Sequence, residues 1–104
     1  MNKITTGLLL ATALFSASSM AAGDPVAGKA KSAIRAACHG ADGMALIDGY
    51  PNIKGQNSAY IQSSLKAYRS KQRNGGLAVV MQAQAMLLND QDIENLAAYY
   101  SSLK

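Results

Sequence analysis

The sequence predicts an all-α domain, and three observations support this fold class. Apolar residues recur at helical spacing in three separate segments, and each segment begins with a residue that caps helices well. No segment shows the apolar–polar alternation that is typical of a half-buried strand. A long segment rich in glycine separates the first helix from the second. We therefore expect three main helices joined by ordered loops.

The first 21 residues have the pattern of a secretory signal peptide. Lys3 supplies a positive start, and the apolar run ITTGLLLATALF follows. Small residues come next, and the best cleavage point lies after Ala21. The apolar run is shorter than an ordinary membrane-spanning helix, although an uncleaved anchor is the alternative, and no later stretch is long enough to cross a bilayer. We expect residues 22–104 to form one exported domain without stable membrane insertion.

A domain of this size usually needs a cross-link or a bound cofactor to be stable. Cys38 is the only cysteine, which excludes an internal disulfide. The formal net charge of the chain is +4, but its basic residues are dispersed apart from one cluster, which does not indicate nucleic-acid binding. Size and cysteine content together favour a cofactor.

The first predicted helix covers residues 25–36. Asp24 is a good N-cap, and Pro25 suits the first helical position. Gly28 weakens the helix, and a glycine at such a position often allows another helix to approach closely. The predicted apolar face consists of Val26, Ala30, Ala33, Ile34 and Ala37.

The segment that follows, HGADGMALIDGYPNIKGQN, is predicted to be a long loop because of its many turn residues. A long ordered loop in a small domain is usually functional. The second helix, residues 58–73, is capped by Asn57 or Ser58 and carries an apolar stripe and a basic C-terminal end. The stripe consists of Ile61, Leu65 and Tyr68, and the basic cluster of Lys66, Arg69, Lys71 and Arg73.

The last helix follows Asn89, which is a good N-cap, and acidic residues occupy its first turn, where the helix dipole favours them. The run LAVVMQAQAMLL before it is apolar, and its secondary structure is ambiguous. The predicted buried stripe of the last helix consists of Ile93, Leu96, Ala97, Tyr100 and Leu103.

Cys38 and His39, the only histidine, are adjacent at the start of the loop. Haem is usually attached by Cys-x-x-Cys-His, and here Arg35 occupies the position of the first cysteine. The alternatives are a buried free thiol, a thiol–imidazole nucleophile and a zinc ligand. A nucleophilic pair is disfavoured because adjacent helical residues do not face each other, and a zinc site lacks further cysteine or histidine ligands.

Four segments of the chain carry a family resemblance, in this order: AGDPVAGKAK, AACHGADG, YPNIKGQNSAYI and MQAQAMLLNDQDIENLAAYYSSL. Together they resemble class I cytochromes c of the small bacterial monohaem c553/c5 and c4-like type. The resemblance extends over nearly all of residues 22–104. It implies the class I cytochrome c fold, with three main helices and loops around one haem c.

The resemblance also implies the roles of individual residues. His39 resembles the proximal axial ligand of the iron, and Pro51 the proline whose carbonyl accepts a hydrogen bond from that histidine. Met81 resembles the distal ligand, because the family places it eight residues before the cap of the last helix. Gly28 and Tyr100 resemble the contact where the first and last helices cross.

Cys38 resembles the second of two thioether cysteines, which leaves attachment by a single thioether. Arg35 would lie at a haem edge, where it would reach solvent or meet a propionate. Met86 competes with Met81 for the iron but is assigned to the core, and Met44 is too near His39 to reach the opposite face. The remaining tyrosines are expected in the core or as pocket walls: Tyr60, Tyr68, Tyr99 and Tyr100.

The function implied by the resemblance is electron transfer in the periplasm by a monomer with one His/Met-ligated haem. Its partners would be redox proteins, namely membrane-bound donors and terminal reductases or oxidases. Both axial positions are filled, which implies a carrier and not an enzyme. The alternative is a relic that binds no haem, or binds it non-covalently, and acts as a binding module. The basic cluster is a solvated helix end or a docking patch for acidic partners.

Overall fold

The computed structural model describes residues 23–104, and the predicted signal peptide lies outside the described residues. The elements are α1 (Pro25–Lys31), a 3-10 turn (Ala33–Arg35), α2 (Ala36–His39), α3 (Ser58–Arg69), α4 (Ala78–Ala85) and α5 (Asp90–Ser102). Between residues 23 and 104 there is no strand, which confirms the all-α prediction. No helix in this range is long and apolar enough to cross a membrane.

Each of the three longer predicted helices begins at the expected cap. The Asp24 carboxylate accepts from the backbone N–H of Val26 at 2.9 Å, and Pro25 follows at the first helical position. The Asn57 side chain accepts from the backbone N–H of Tyr60 at 3.0 Å. These caps satisfy donors that a helix N-terminus leaves unpaired, and they are local enough to be read from the sequence.

The first helix is shorter than predicted. α1 ends at Lys31, and a 3-10 turn replaces the expected continuation to residue 36. The Ser32 hydroxyl donates to the carbonyl of Lys29 at 2.7 Å, a local hydrogen bond that competes with regular helix geometry. The predicted apolar face is therefore divided, and Val26 and Ile34 are 77% and 63% exposed.

α1 crosses α5 at Gly28, as the glycine suggested. A Cβ atom at Gly28 would overlap the backbone carbonyl of Asn95 and lie 2.8 Å from Cβ of Tyr99. The nearest neighbours are thus Asn95 and Tyr99 and not Tyr100, which is buried in the core. The absence of a side chain at this position permits the two helices to pack with backbone in contact.

The core is built on α5, which presents its predicted stripe to α3. Ile93 and Leu96 are fully buried, and Leu103 packs against the same cluster from its edge. The long loop is tied to α5 by two hydrogen bonds, from Tyr99 Oη to the carbonyl of Ala41 at 3.0 Å and from the N–H of Gly55 to the carbonyl of Tyr100 at 2.9 Å. These contacts hold the loop against the helices.

The contribution of a helix cap to stability can be measured at the start of α5, where a capping box forms. Asn89 Oδ1 accepts from the N–H of Asp92 at 2.8 Å, and Asp92 Oδ2 accepts from the N–H of Asn89 at 3.1 Å. Asn89→Ala is expected to lower the free energy of unfolding by about 1 kcal/mol in urea denaturation. Asn89→Ser retains a capping oxygen and should remain near wild type. Equal stability of the two variants would contradict the capping role.

Candidate functional site

His39 is the last residue of α2 and is buried. Its Nδ1 lies 2.9 Å from the carbonyl oxygen of Pro51, in the long loop. A carbonyl can only accept, so Nδ1 carries the proton and donates. In the neutral ring, Nε2 then carries the lone pair that can bind a metal. The loop therefore fixes both the tautomer and the orientation of the ring.

A tight turn follows His39. Gly40 has φ +84°, and a Cβ atom there would overlap the backbone of Met44. The turn sends the chain away from α2 and leaves Cys38 half-buried as a free thiol. Met44 is 43% exposed. It lines neither of the two cavities beside His39.

Two adjoining cavities, with volumes of about 350 and 200 Å³, lie beside His39. The first, larger cavity opens past Cys38 and residues of α4, and the second extends to the core side chains Ile61 and Leu96. Both are lined by the same six residues at their junction: Arg35, His39, Pro51, Tyr68, Arg73 and Met81. The structure therefore brings His39, Pro51 and Met81 together in one place.

Met81 comes from the run whose secondary structure was ambiguous. That run contains α4, and Met81 is partly buried on it against the core cluster. Met86, assigned to the core from the sequence, is instead 58% exposed and lines neither cavity. α4 ends at Ala85, and the buried positions of the following turn are taken by Ala85 and Leu88.

From the sequence, Arg35 is expected to reach solvent or to meet a propionate. The first expectation is wrong, because Arg35 is buried. Its side chain is only 7% exposed. Nη1 donates to the carbonyl of Lys31 at 2.8 Å, and Nη2 lies 3.5 Å from the carbonyl of Gln84. Nε is buried without a hydrogen-bond partner. The guanidinium is thus fixed in the junction of the two cavities.

The cavity walls are mostly apolar and carry positive charge. Arg35 and Arg73 line both cavities, and none of the described residues that line them is Asp or Glu. Burial raises the pKa of the Tyr100 hydroxyl, and the nearby Arg35 charge opposes that shift. Burial also lowers the pKa of Arg35, but a guanidinium stays protonated at neutral pH.

These features fit a haem. A porphyrin presents a large apolar plane, and the side chains Ile34, Leu77 and Val80 are exposed at the first cavity, where such a plane would cover them. The donor set offers one imidazole nitrogen and one thioether sulfur, which is the pair found in electron-transfer haems.

Sequence reasoning did not identify several residues of the walls. Tyr50 precedes Pro51 in the long loop, and Gln84 follows Met81 by one helical turn. Spacing could have suggested Gln84, because residues three apart share a helix face. Arg73 was assigned to the basic cluster, but its guanidinium stacks 4.7 Å from the ring centre of Tyr68 at the cavities.

In the rest of the basic cluster, some side chains contact other residues of the chain and others do not. Arg69 pairs with Asp90 at 2.7 Å and also donates to the carbonyl of Leu88 at 3.2 Å. This contact lowers the pKa of the exposed Asp90 carboxyl through the hydrogen bond and charge of Arg69. Two of the four cations therefore have contacts within the chain, which favours a structural role for this part of the cluster.

Comparison with known proteins identifies the family. A family model described as "Cytochrome c" matches residues 36–104. The chain is 52% identical over 81 residues to cytochrome c-554(548) of Halomonas halodenitrificans, an alignment that covers 78% of this chain and 98% of the relative. It is 37% identical to cytochrome c4 of Pseudomonas aeruginosa over 106 residues, covering 100% of this chain and 50% of the relative.

A solved structure resembles the fold as well. The crystal structure of reduced recombinant cytochrome c4 from Pseudomonas stutzeri superposes with a TM-score of 0.70 at 36% sequence identity. The match covers 80% of this chain and 47% of that one. The chain thus spans about half the length of the cytochrome c4 relatives, and nearly all of the c-554(548) relative.

Proposed function

The chain belongs to the cytochrome c family, an electron-transfer family that binds haem c, and on this premise we propose how it holds the haem. His39 and Met81 are the axial ligands, and Cys38 forms a single thioether. When bound, haem c supplies a one-electron Fe(III)/Fe(II) couple. The observation that carries the proposal is the junction of the two cavities, which His39 and Met81 both line.

Support for the ligands comes from three elements of the fold. The Pro51 carbonyl, 2.9 Å from His39 Nδ1, orients the ring and increases the basicity of the other nitrogen. α4 carries Met81 to the same cavities. Met44 and Met86 line neither cavity. A thioether ligand favours reduced iron and raises the reduction potential.

Support for a single thioether comes from Cys38 and Arg35. Cys38 is half-buried, free and at the wall of the first cavity, where its sulfur can bond to one vinyl group. Arg35 stands three residues earlier, at the position of the first cysteine of the usual motif, and has no sulfur to offer. One covalent bond therefore holds the haem, and cavity packing and the ligands supply the rest.

The proposed role is that of a carrier. With His39 and Met81 both on the iron, no axial position is open to a substrate. A carrier of this kind needs only a small transient interface with its redox partners. We place the protein in the periplasm, on the basis of its N-terminal sequence pattern, with membrane-bound donors and terminal reductases or oxidases as partners.

Haem staining after denaturing electrophoresis of the purified holoprotein tests the attachment. The wild-type polypeptide should stain, because one thioether survives denaturation. Cys38→Ala should bind haem in the native state and lose it in the gel. Arg35→Cys supplies the first cysteine of the usual motif and should raise the yield of holoprotein. The pyridine haemochrome band distinguishes one thioether from two or none.

Two outcomes would contradict the proposal. A native wild-type protein that is coloured but loses its haem in the gel would show non-covalent binding. A colourless protein, after expression with functional haem-attachment machinery, would favour the relic that acts without haem.

A further inference from the structure

Arg35 places a permanent positive charge inside the cofactor site. Its guanidinium is buried, and its contacts are carbonyl oxygens of Lys31 and Gln84. Among the described residues, the ion pairs are Lys31 with Asp92 at 3.5 Å and Arg69 with Asp90 at 2.7 Å. Neither pair includes Arg35. Carbonyl dipoles therefore solvate this charge and no carboxylate contacts it, while the Asp92 carboxylate, paired with Lys31, interacts with it from a greater distance.

The position of this charge is fixed. Nη1 is held by the carbonyl of Lys31 in α1, and Nη2 faces the carbonyl of Gln84 in α4. α4 also carries Met81, one helical turn before Gln84. The guanidinium thus lies between the helix that precedes the His39 segment and the helix that bears the proposed sulfur ligand.

The charge is also poorly screened. Arg35 lines both cavities together with His39 and Met81, at the junction where the haem would lie. Charges in a buried site interact far more strongly than charges in water, because the effective dielectric constant is lower. Mobile ions screen exposed charges but reach buried ones much less.

We propose that Arg35 is a potential-setting residue, whose buried guanidinium raises the reduction potential of the haem. Loss of one electron to a redox partner leaves an additional positive charge on the iron site, and the guanidinium makes that charge less favourable. The reduced form is therefore stabilised relative to the oxidised form. The inference rests on the proposed ligation by His39 and Met81, and it gives Arg35 a role beyond the absence of a cysteine.

Redox titration of the holoprotein, followed by its visible spectrum, tests this inference. Arg35→Gln and Arg35→Leu each remove the charge, one with a polar and one with an apolar side chain. At a fixed potential, each should reduce the ratio of reduced to oxidised protein by about tenfold, which is 59 mV for one electron. Arg35→Lys keeps a charge and should retain more than half of the wild-type effect.

Lys66→Gln provides the control. Lys66 is exposed and lines neither cavity. Removal of this charge should change the ratio by less than about threefold at low salt, and less still at high salt. The shift caused by Arg35→Gln should change little with salt, because that charge is buried.

The results separate this inference from the proposed function. Neutral variants with an unchanged spectrum and an unchanged midpoint would overturn it while leaving the ligands in place. A lysine variant that behaves like the glutamine variant would assign the shift to packing and also overturn it. A wild-type protein without a His/Met haem spectrum would overturn the ligation first, and this inference with it.

Discussion

Met81→Ala is expected to produce a large change in the spectrum and the reduction potential. Loss of the thioether leaves the iron with His39 alone, so the low-spin six-coordinate spectrum should disappear. The reduction potential should fall by roughly 0.1 V or more, within the range of about 0.8 V that axial ligands cover. Reduced protein should also gain carbon monoxide binding, because one axial position becomes open. Visible spectroscopy and redox titration measure these changes.

Met86→Ala is the matched control for this experiment. Met86 lies five residues further along, but it is exposed and lines neither cavity. Its replacement should leave the spectrum, the potential and carbon monoxide binding as in wild type. The assignment of Met81 would be wrong if Met86→Ala lost the low-spin spectrum, or if Met81→Ala retained it.

Gly28→Ala is expected to cause a large loss of stability. A Cβ atom at this position would overlap the carbonyl of Asn95 and lie 2.8 Å from Cβ of Tyr99, so α1 and α5 would have to separate. Overpacking typically costs about 1–3 kcal/mol, and we expect the upper end because backbone atoms are involved. The better helix propensity of alanine, about 0.5–1 kcal/mol, offsets only part of this cost. Urea denaturation of the holoprotein measures the difference.

Lys29→Ala, one residue away on the same helix, is the control for the crossing. Lys29 is exposed, and the substitution should change the free energy of unfolding by less than about 0.5 kcal/mol. A Gly28→Ala variant as stable as wild type would show that the helices can shift without loss. Gly28 would then not determine the distance between α1 and α5.

The sequence was informative wherever a few neighbouring residues decide the outcome. Asp24, Asn57 and Asn89 each cap a helix through a backbone N–H two or three residues away, and such contacts do not depend on the rest of the fold. The buried stripe of α5 was likewise visible, because helical periodicity selects one face. Family resemblance added the candidate ligands, which neither capping nor periodicity identifies.

The misassignments concern residues whose surroundings come from distant parts of the chain. The predicted helix over residues 25–36 breaks after Lys31, and Ile34 faces outward at the first cavity. Met86 looked like core by composition, but the end of α4 turns it to the surface. The 3-10 turn after Lys31 and the end of α4 at Ala85 change the direction of the chain at these two points.

By itself, then, the sequence determined the helical class, the capped starts of α1, α3 and α5, and the inventory of donors in Cys38, His39 and the methionines. Only the tertiary structure decided that Met81 and not Met86 meets the cavities of His39, and that the Arg35 charge is buried there. The physical reason is that capping and periodicity act within one or two helical turns. The surroundings of a long side chain depend on which helices pack against it.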